Sequence, residues 1–335
     1  MRESSIFRPN GPLDFIFSNI EAKEFSFLGC VGTEDRCVTA FSELVARKSL
    51  RNISLAEITD AESEYSSRSD EKMRLNRKTF EDLGVSNDEF RAIGLLDRED
   101  LILSWIEDFI EVSEKVVLDI SSLPKRFFFP AVKMLLKNKK ITDLVVTYSV
   151  PDGYHSGNIA ERPSDWRALP LFGSQEYPDP KYELAIVGVG FLPFGLPDLL
   201  KSGFLEAKPH LFFPFPASPG TAFKSWDFVR QIENSMALPA RDQLVHINAM
   251  DPSDAFDHIM WLTHKNKKKA LFAPYGPKPM SLAMAIYASL TGAPVFYTQP
   301  RVYHPDYTSG VRKNNGRPLV YAYCLRLDSR DLFYV

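Results

Sequence analysis

The chain reads as an α/β protein of two tandem Rossmann-like halves with mostly parallel sheets, related by internal duplication. Four observations predict this. Strand-like apolar runs alternate with helical patterns along the chain, the signature of βαβ units. The frame Tyr148-x-x-Pro151-x-x-Tyr154-His155 recurs as Tyr297-x-x-Pro300-x-x-Tyr303-His304. Upstream of each copy lies a strand that ends before Pro-Lys and an apolar helix: Val116 to Pro124-Lys125, and Ala270 to Pro277-Lys278. Further upstream, Gly29-Cys30-Val31-Gly32 parallels Gly188-Val189-Gly190. A spacing of about 150 residues suits two copies of one domain and is too long for a solenoid repeat. The expected partition is a first half over 1–157, a linker over 158–180 and a second half over 181–335.

The first half opens with a strand at Phe25 to Val31, and Thr33-Glu34-Asp35 caps a helix through Val38, Phe41 and Leu44. A strand at Ile53 to Ile58 follows. From Asp60 to Asn87 the chain is polar and charged, which predicts a solvent-facing helix or a mobile excursion open to proteases. Asp97 to Asp100 then leads into an amphipathic helix carrying Leu101, Trp105, Ile106 and Phe109. Strand Val116 to Ile120, helix Arg126 to Leu136 and strand Leu144 to Tyr148 form a βαβ unit, which implies parallel strands.

The segment Ser156 to Pro180, rich in Pro, Gly, Ser and Asp, reads as the link between halves. Leu184 to Val189 is a continuous apolar run, the pattern of a strand buried on both faces. Strand Leu211 to Phe215, helix Phe223 to Ile232, strand Leu244 to Ile247, helix Ser253 to Thr263, strand Ala270 to Ala273, helix Met280 to Leu290 and strand Val295 to Tyr297 follow. The tail from Leu319 is expected to add a last strand pair to the second half.

Composition narrows the function classes. With 335 residues, 44% hydrophobic and 25% charged, the chain can bury one large or two ordinary cores. No apolar run reaches membrane-spanning length and the first ten residues are polar, so a cytoplasmic protein with no membrane partner is expected. Cys30, Cys37 and Cys324 are an odd set without a CxxC pair, which speaks against a disulfide framework or a zinc site. No metal or cofactor is expected. A net charge of −3 argues against a generic nucleic-acid binder. The lysine clusters at 133–140 and 265–269 read as cations at helix ends, where they complement the dipole.

In parallel sheets ligands bind beyond the carboxyl ends of the strands. The residues placed there are Gly32, Ser121, Ser122, Lys125 and Tyr148 in the first half, and Gly190, Tyr275, Gly276, Lys278 and Tyr297 in the second. Gly276 lets the backbone approach a ligand, Pro277 sets the turn, and Lys278 stands at a helix N-terminus whose amides favour an anion. Lys125, after Pro124, has the same placement. The tyrosines, with His155 and His304, offer rings for stacking and titratable imidazoles, or simply close the sheet edges. Asp119, at a strand tip, is the one candidate catalytic carboxylate, and Phe272 is its counterpart. Gly188-Val189-Gly190 begins a dinucleotide fingerprint, but Pro193 takes the third glycine's place and no Walker A sequence is present.

Gly276-Pro277-Lys278-Pro279-Met280-Ser281, at a strand end and opening an apolar helix, resembles the Gly-Thr-Lys type motif of CRISPR-associated Rossmann-fold (CARF) sensor domains. A tandem of two such halves resembles the SAVED arrangement, in which CARF-like units are fused. The resemblance covers the last strand-helix-strand unit of each half. Pro277 stands where that motif has a small hydroxyl residue, and Leu123 where it has Gly. It implies an anionic, nucleotide-like ligand, a cyclic or linear oligonucleotide second messenger, held by Lys278 and the preceding glycine. It further implies a sensor or adaptor in prokaryotic antiviral defence, with a protein partner carrying the effector activity. The alternatives are an enzyme acting on a nucleoside or nucleotide, with Asp119 as acid or base, and a structural subunit of a defence complex.

Overall fold

The computed structural model describes residues 7–20, 24–173, 181–202, 207–217, 221–233 and 243–335. Part of the expected linker, 174–180, therefore lies outside the described residues. The chain is mixed α/β and divides into two compact units, residues 1–159 with 302–334, and residues 160–301 with Val335.

The first unit begins with β1 (Asn10–Pro12), α1 (Leu13–Asn19), β2 (Phe25–Val31), α2 (Thr39–Ala46), β3 (Leu50–Thr59) and α3 (Ser66–Asp82). It continues through β4 (Phe90–Gly94), α4 (Glu99–Glu111), β5 (Lys115–Asp119), α5 (Lys125–Lys137), β6 (Asp143–Ser149) and β7 (Pro151–Tyr154). β4, β3, β2, β5 and β6 lie side by side and parallel. All seven residues of β2 are buried, as its largely apolar sequence requires of a strand covered on both faces. On one face α1, α2 and α3 bring Leu13, Ile16, Phe41, Leu44 and Phe80 onto Phe27, Leu55 and Val117. Phe41 links Phe27 and Phe80 ring to ring at 5.2 and 5.1 Å. On the other face Trp105 of α4 donates its indole N–H to Ser54 Oγ at 2.8 Å and meets the Phe127 ring of α5.

In the second unit the chain runs through β8 (Ala160–Pro163), β9 (Arg167–Ala168), β10 (Leu184–Gly188), α6 (Leu196–Ser202), β11 (Lys208–Phe215) and α7 (Ala222–Glu233). Then come β12 (Leu244–Asn248), α8 (Pro252–Leu262), β13 (Ala270–Pro274), α9 (Lys278–Thr291), β14 (Phe296–Tyr297) and β15 (Pro300–Tyr303), whose last two residues are counted with the first unit. β12, β11, β10 and β13 form a parallel sheet in that order. A parallel bridge between Phe272 and Val295 brings the chain just ahead of β14 beside β13, and β14 pairs antiparallel with β9. α8 starts where Asp251 accepts the Ser253 amide at 2.8 Å and Pro252 takes the first helical position. α9 is buried on all sides from Pro279 to Ser289 and ends at Gly292, whose φ of 77° only glycine adopts without strain.

The tail departs from the expected partition. β16 (Thr308–Val311), β17 (Lys313–Asn314), β18 (Arg317–Pro318), β19 (Val320–Leu327) and β20 (Arg330–Asp331) belong to the first unit. β19 is antiparallel to β6 and carries β1 and β20, completing an eight-stranded, mostly parallel sheet. The last strand pair is present, but it extends the first sheet, because β6 offers an edge whose apolar length matches that of Val320 to Leu325. The expected linker likewise carries strands β8 and β9 of the second unit.

Of the two expectations for Asp60 to Asn87, the solvent-facing helix is the one found, and the mobile excursion is not. Most of it is α3, pinned by Phe80 in the core and by Asn76, whose side-chain amide donates to the Gly32 carbonyl at 2.7 Å. Lys72 and Arg68 both pair with Asp306. The following turn closes with a capping box between Ser86 and Glu89.

Candidate functional site

Numbered by order along the chain, the parallel strands of the first sheet lie 3-2-1-4-5 as β4-β3-β2-β5-β6. In the second, β12-β11-β10-β13 lie 3-2-1-4. The order reverses between β2 and β5 in one sheet and between β10 and β13 in the other. Loops leaving the carboxyl ends of such a strand pair diverge and leave a crevice, where open α/β sheets bind ligands.

In the first unit that edge is a polar network closed on itself. Asp119 is buried and accepts the hydroxyls of Ser121 at 2.6 Å and Thr147 at 2.9 Å. Ser121 Oγ in turn accepts the Ser149 amide at 2.8 Å, so the Asp119 carboxylate ties the end of β5 to the end of β6. Ser122 is half-buried, with its Oγ 3.6 Å from Cys30 Sγ. Lys125 is the first residue of α5, directly after Pro124, and no side chain caps that helix.

Arg36 gave no sign of itself in the sequence, where it reads as one charge in a polar cap. It is buried, pairs with Glu34 at 2.9 Å and donates to the Ser149 carbonyl at 3.1 Å. Its guanidinium lies 5.5 Å over the Tyr148 ring, so Tyr148 packs beneath a cation inside the unit. Burial opposes the Arg36 charge, but Glu34, Tyr148 and Tyr154 outweigh it and hold the pKa above its ordinary value. Glu34 also accepts the Thr308 hydroxyl of β16.

The second unit brings Gly190, Tyr275, Gly276, Lys278 and Tyr297 to the ends of β10, β13 and β14. The glycines serve close backbone approach. A Cβ on Gly190 would stand 2.0 Å from the Tyr275 carbonyl oxygen, and one on Gly276 would meet Met280 Sδ at 3.0 Å and the Val189 carbonyl at 3.2 Å. Tyr275 is buried, its hydroxyl donating to the Phe194 carbonyl at 2.7 Å, and its ring lies 5.2 Å from Tyr297. Burial raises the Tyr275 pKa. Lys278 is half-buried and is the first residue of α9, after Pro277. Pro-Lys thus opens a helix after strand 4 of each sheet.

The repeated histidines meet inside the first unit. His155 and His304 stack with centroids 3.8 Å apart and planes at 13°, and Tyr65 meets the His304 ring edge-on. His304 Nδ1 accepts the Asp306 amide at 3.1 Å, which leaves Nε2 to carry the proton. Burial, with His155 alongside, lowers the His304 pKa, against the pull of Asp306. Nearby, Asp60 accepts the Tyr303 amide at 2.9 Å, and burial pushes its carboxyl up to about 6.

These two groups act on stability with opposite signs. Between its ordinary range near pH ~4 and about 6, Asp60 holds a proton in the folded chain that the unfolded chain has released. Its contribution therefore falls as pH rises through that window. Stability from neutral His304 is present above the ordinary histidine range near ~6.5 and is lost as pH falls through the lower folded value. Asp60→Asn, which keeps an acceptor for Tyr303, should be more stable than the parent at about pH 7. That advantage should close toward pH ~4, as read from denaturant midpoints; a constant difference would contradict it.

Among the described residues no helix is long and apolar enough to cross a membrane, and no cluster of three His, Cys, Asp or Glu is placed to hold a metal. No family model matches the chain, and no curated protein matches it. Among solved structures, a functionally unknown protein, PA1789 from Pseudomonas aeruginosa PAO1, aligns over 83% of this chain and 93% of its own. It is 11% identical, with a TM-score of 0.23. The cytoplasmic domain of a prokaryotic cation chloride cotransporter aligns over 83% of this chain and 96% of its own, at 12% identity and a TM-score of 0.25. Neither likeness bears on what this chain does.

Proposed function

We propose that the two units are copies of one Rossmann-like plan and that the chain binds an anionic, nucleotide-like ligand at the carboxyl edge of the second unit. The observation that carries this reading is the matched Pro-Lys at the first turn of α5 and α9, each after strand 4, beside the reversal of strand order. A lysine there opposes the helix dipole. A bound anion removes that conflict and takes up the first-turn amides. The second unit is favoured because Gly276 lets the backbone corner before Lys278 lie close to the end of β10. In the first unit Asn76, Thr308 and Arg36 already engage the strand-end groups.

The resemblance to CARF and SAVED units supplies the ligand class, an oligonucleotide second messenger, and the role, a cytoplasmic sensor or adaptor in antiviral defence whose effector activity lies on a partner protein. The engagement of Asp119 by Ser121 and Thr147 supports a binding role over a catalytic one. Calorimetric titration with mono-, di- and cyclic oligonucleotides tests the reading. Lys278→Ala should weaken binding by about 1.5 to 3 kcal/mol, the worth of a charge-assisted hydrogen bond. Lys125→Ala should cost less, and the Lys278→Ala difference should shrink at high salt as the ionic attraction is screened. Unchanged affinity in Lys278→Ala, or no binding of any member by the parent, would remove the support for this proposal.

A further inference from the structure

The opposite edge of the second sheet, where the strands begin, carries a different surface. The connection from α8 to β13 places His264, Lys265 and Asn266 at φ 50°, 56° and 64°, three consecutive left-handed residues without a glycine. Each costs energy that its surroundings must offset. The surroundings are hydrogen bonds from the Lys265 amide to the Met260 carbonyl at 2.8 Å and from the Lys268 amide to the Thr263 carbonyl at 3.0 Å. Beneath them, the buried Tyr287 hydroxyl donates to Thr263 Oγ1 at 2.9 Å and lies 3.4 Å from Asn266 Oδ1. The loop is therefore held in one shape. It presents Lys265, Lys267 and Lys269 exposed and Lys268 half-buried, and one turn earlier Trp261 is 72% exposed. Lys208, also exposed, starts the strand beside β10, and the acids near this edge include Glu183 before β10 and Glu233 at the end of α7.

A helix end needs one or two cations, not a strained loop with four lysines beside a bare indole. We infer that the tip from Trp261 to Lys269 contacts single-stranded nucleic acid, Trp261 stacking on a base while the lysines follow the phosphates. One ring suffices for stacking on a base. An anionic lipid surface is the weaker match, because interfacial anchoring grows with buried apolar area and Trp261 is the single large apolar side chain exposed on this tip.

The test is fluorescence anisotropy of labelled oligo-dT and oligo-rU of about 15 nucleotides, titrated with the whole chain between about 50 and 200 mM salt. The parent should bind, with affinity falling steeply with salt. Replacing Lys267, Lys268 and Lys269 together by Gln should make the log–log salt slope shallower by about 2. Trp261→Ala should weaken binding roughly 5- to 150-fold at unchanged slope. Thermal melts of both variants should match the parent. Lys278→Ala, at the other edge, should bind the oligonucleotide normally, which separates this surface from the proposed messenger site. Absence of binding at low salt, tip variants that bind like the parent, or loss of binding in Lys278→Ala alone would overturn the inference. Trp261-dependent binding to phosphatidylserine vesicles without oligonucleotide binding would overturn it too.

Discussion

Arg326→Leu should destabilise the first unit by about 3 to 5 kcal/mol, the cost of leaving two or more buried carbonyls without their donor. Arg326 is buried on β19, and four of its five donors are matched to one locality. Nε meets Asp331 at 2.5 Å, Nη1 donates to the carbonyls of Asn138 and Ile141 at 2.7 and 2.8 Å, and Nη2 donates to that of Leu136 at 2.5 Å. The last carbonyls of a helix have no partner within it, so this guanidinium caps α5 from a strand 188 to 190 residues away. Leucine removes every donor and leaves those carbonyls behind. For a unit of this size the loss should lower the melting temperature by roughly 10 °C or more. Lysine should rescue little, since a point charge cannot reproduce the planar fork. Removing Asp331 as well should return little, because its carboxylate is exposed and also pairs with Lys139. Denaturant titration checks all three, and a Leu variant within about 1 kcal/mol of the parent would contradict this account of the tail.

Gly190→Ala should be the most damaging single-methyl change in the second unit. A Cβ there would lie 2.0 Å from the Tyr275 carbonyl oxygen and 2.8 Å from its carbon. Both are backbone atoms at the end of a buried strand, so relief requires moving β13 or the β10 end. About 3 kcal/mol or more is expected, the upper range for overpacking. Gly32→Ala, at the comparable end of the first sheet, would meet Ser122 Cβ at 3.7 Å, an ordinary contact, and should be close to neutral. The displacement caused by Gly190→Ala also moves the corner that leads to Lys278, so ligand affinity should fall along with stability. Equal melting temperatures for the two alanine variants would show that the end of β10 has room it is not expected to have.

The central strands and helices were legible in the chain because each buries a continuous apolar run or one apolar face, and the observed ends differ from the expected ones by a few residues. Two things were not. α3 carries charge on most of its surface and is anchored through Asn76 and Phe80, so its hydrophobic periodicity is too sparse to tell a helix from a polar excursion. β19 pairs with β6, 171 to 182 residues earlier, and nothing local in Val320 to Leu327 names that partner. The same limit applies at the site. Glycines at strand ends were visible, but whether they face a ligand or the neighbouring backbone depends on contacts such as Gly190 with Tyr275, distant in sequence. Arg36 was invisible because its buried role depends on the Ser149 carbonyl, 113 residues away.

The most direct test of the central proposal is hydrogen–deuterium exchange with and without the tightest-binding oligonucleotide of the calorimetric panel. Binding at the second unit's carboxyl edge should slow exchange of amides from Gly276 to Ser281 and around Gly190, leaving the first unit and the 261–269 tip unchanged, and Lys278→Ala should erase the difference. Protection confined to the first unit or to the tip, with Gly276 to Ser281 exchanging as in the free chain, would contradict it.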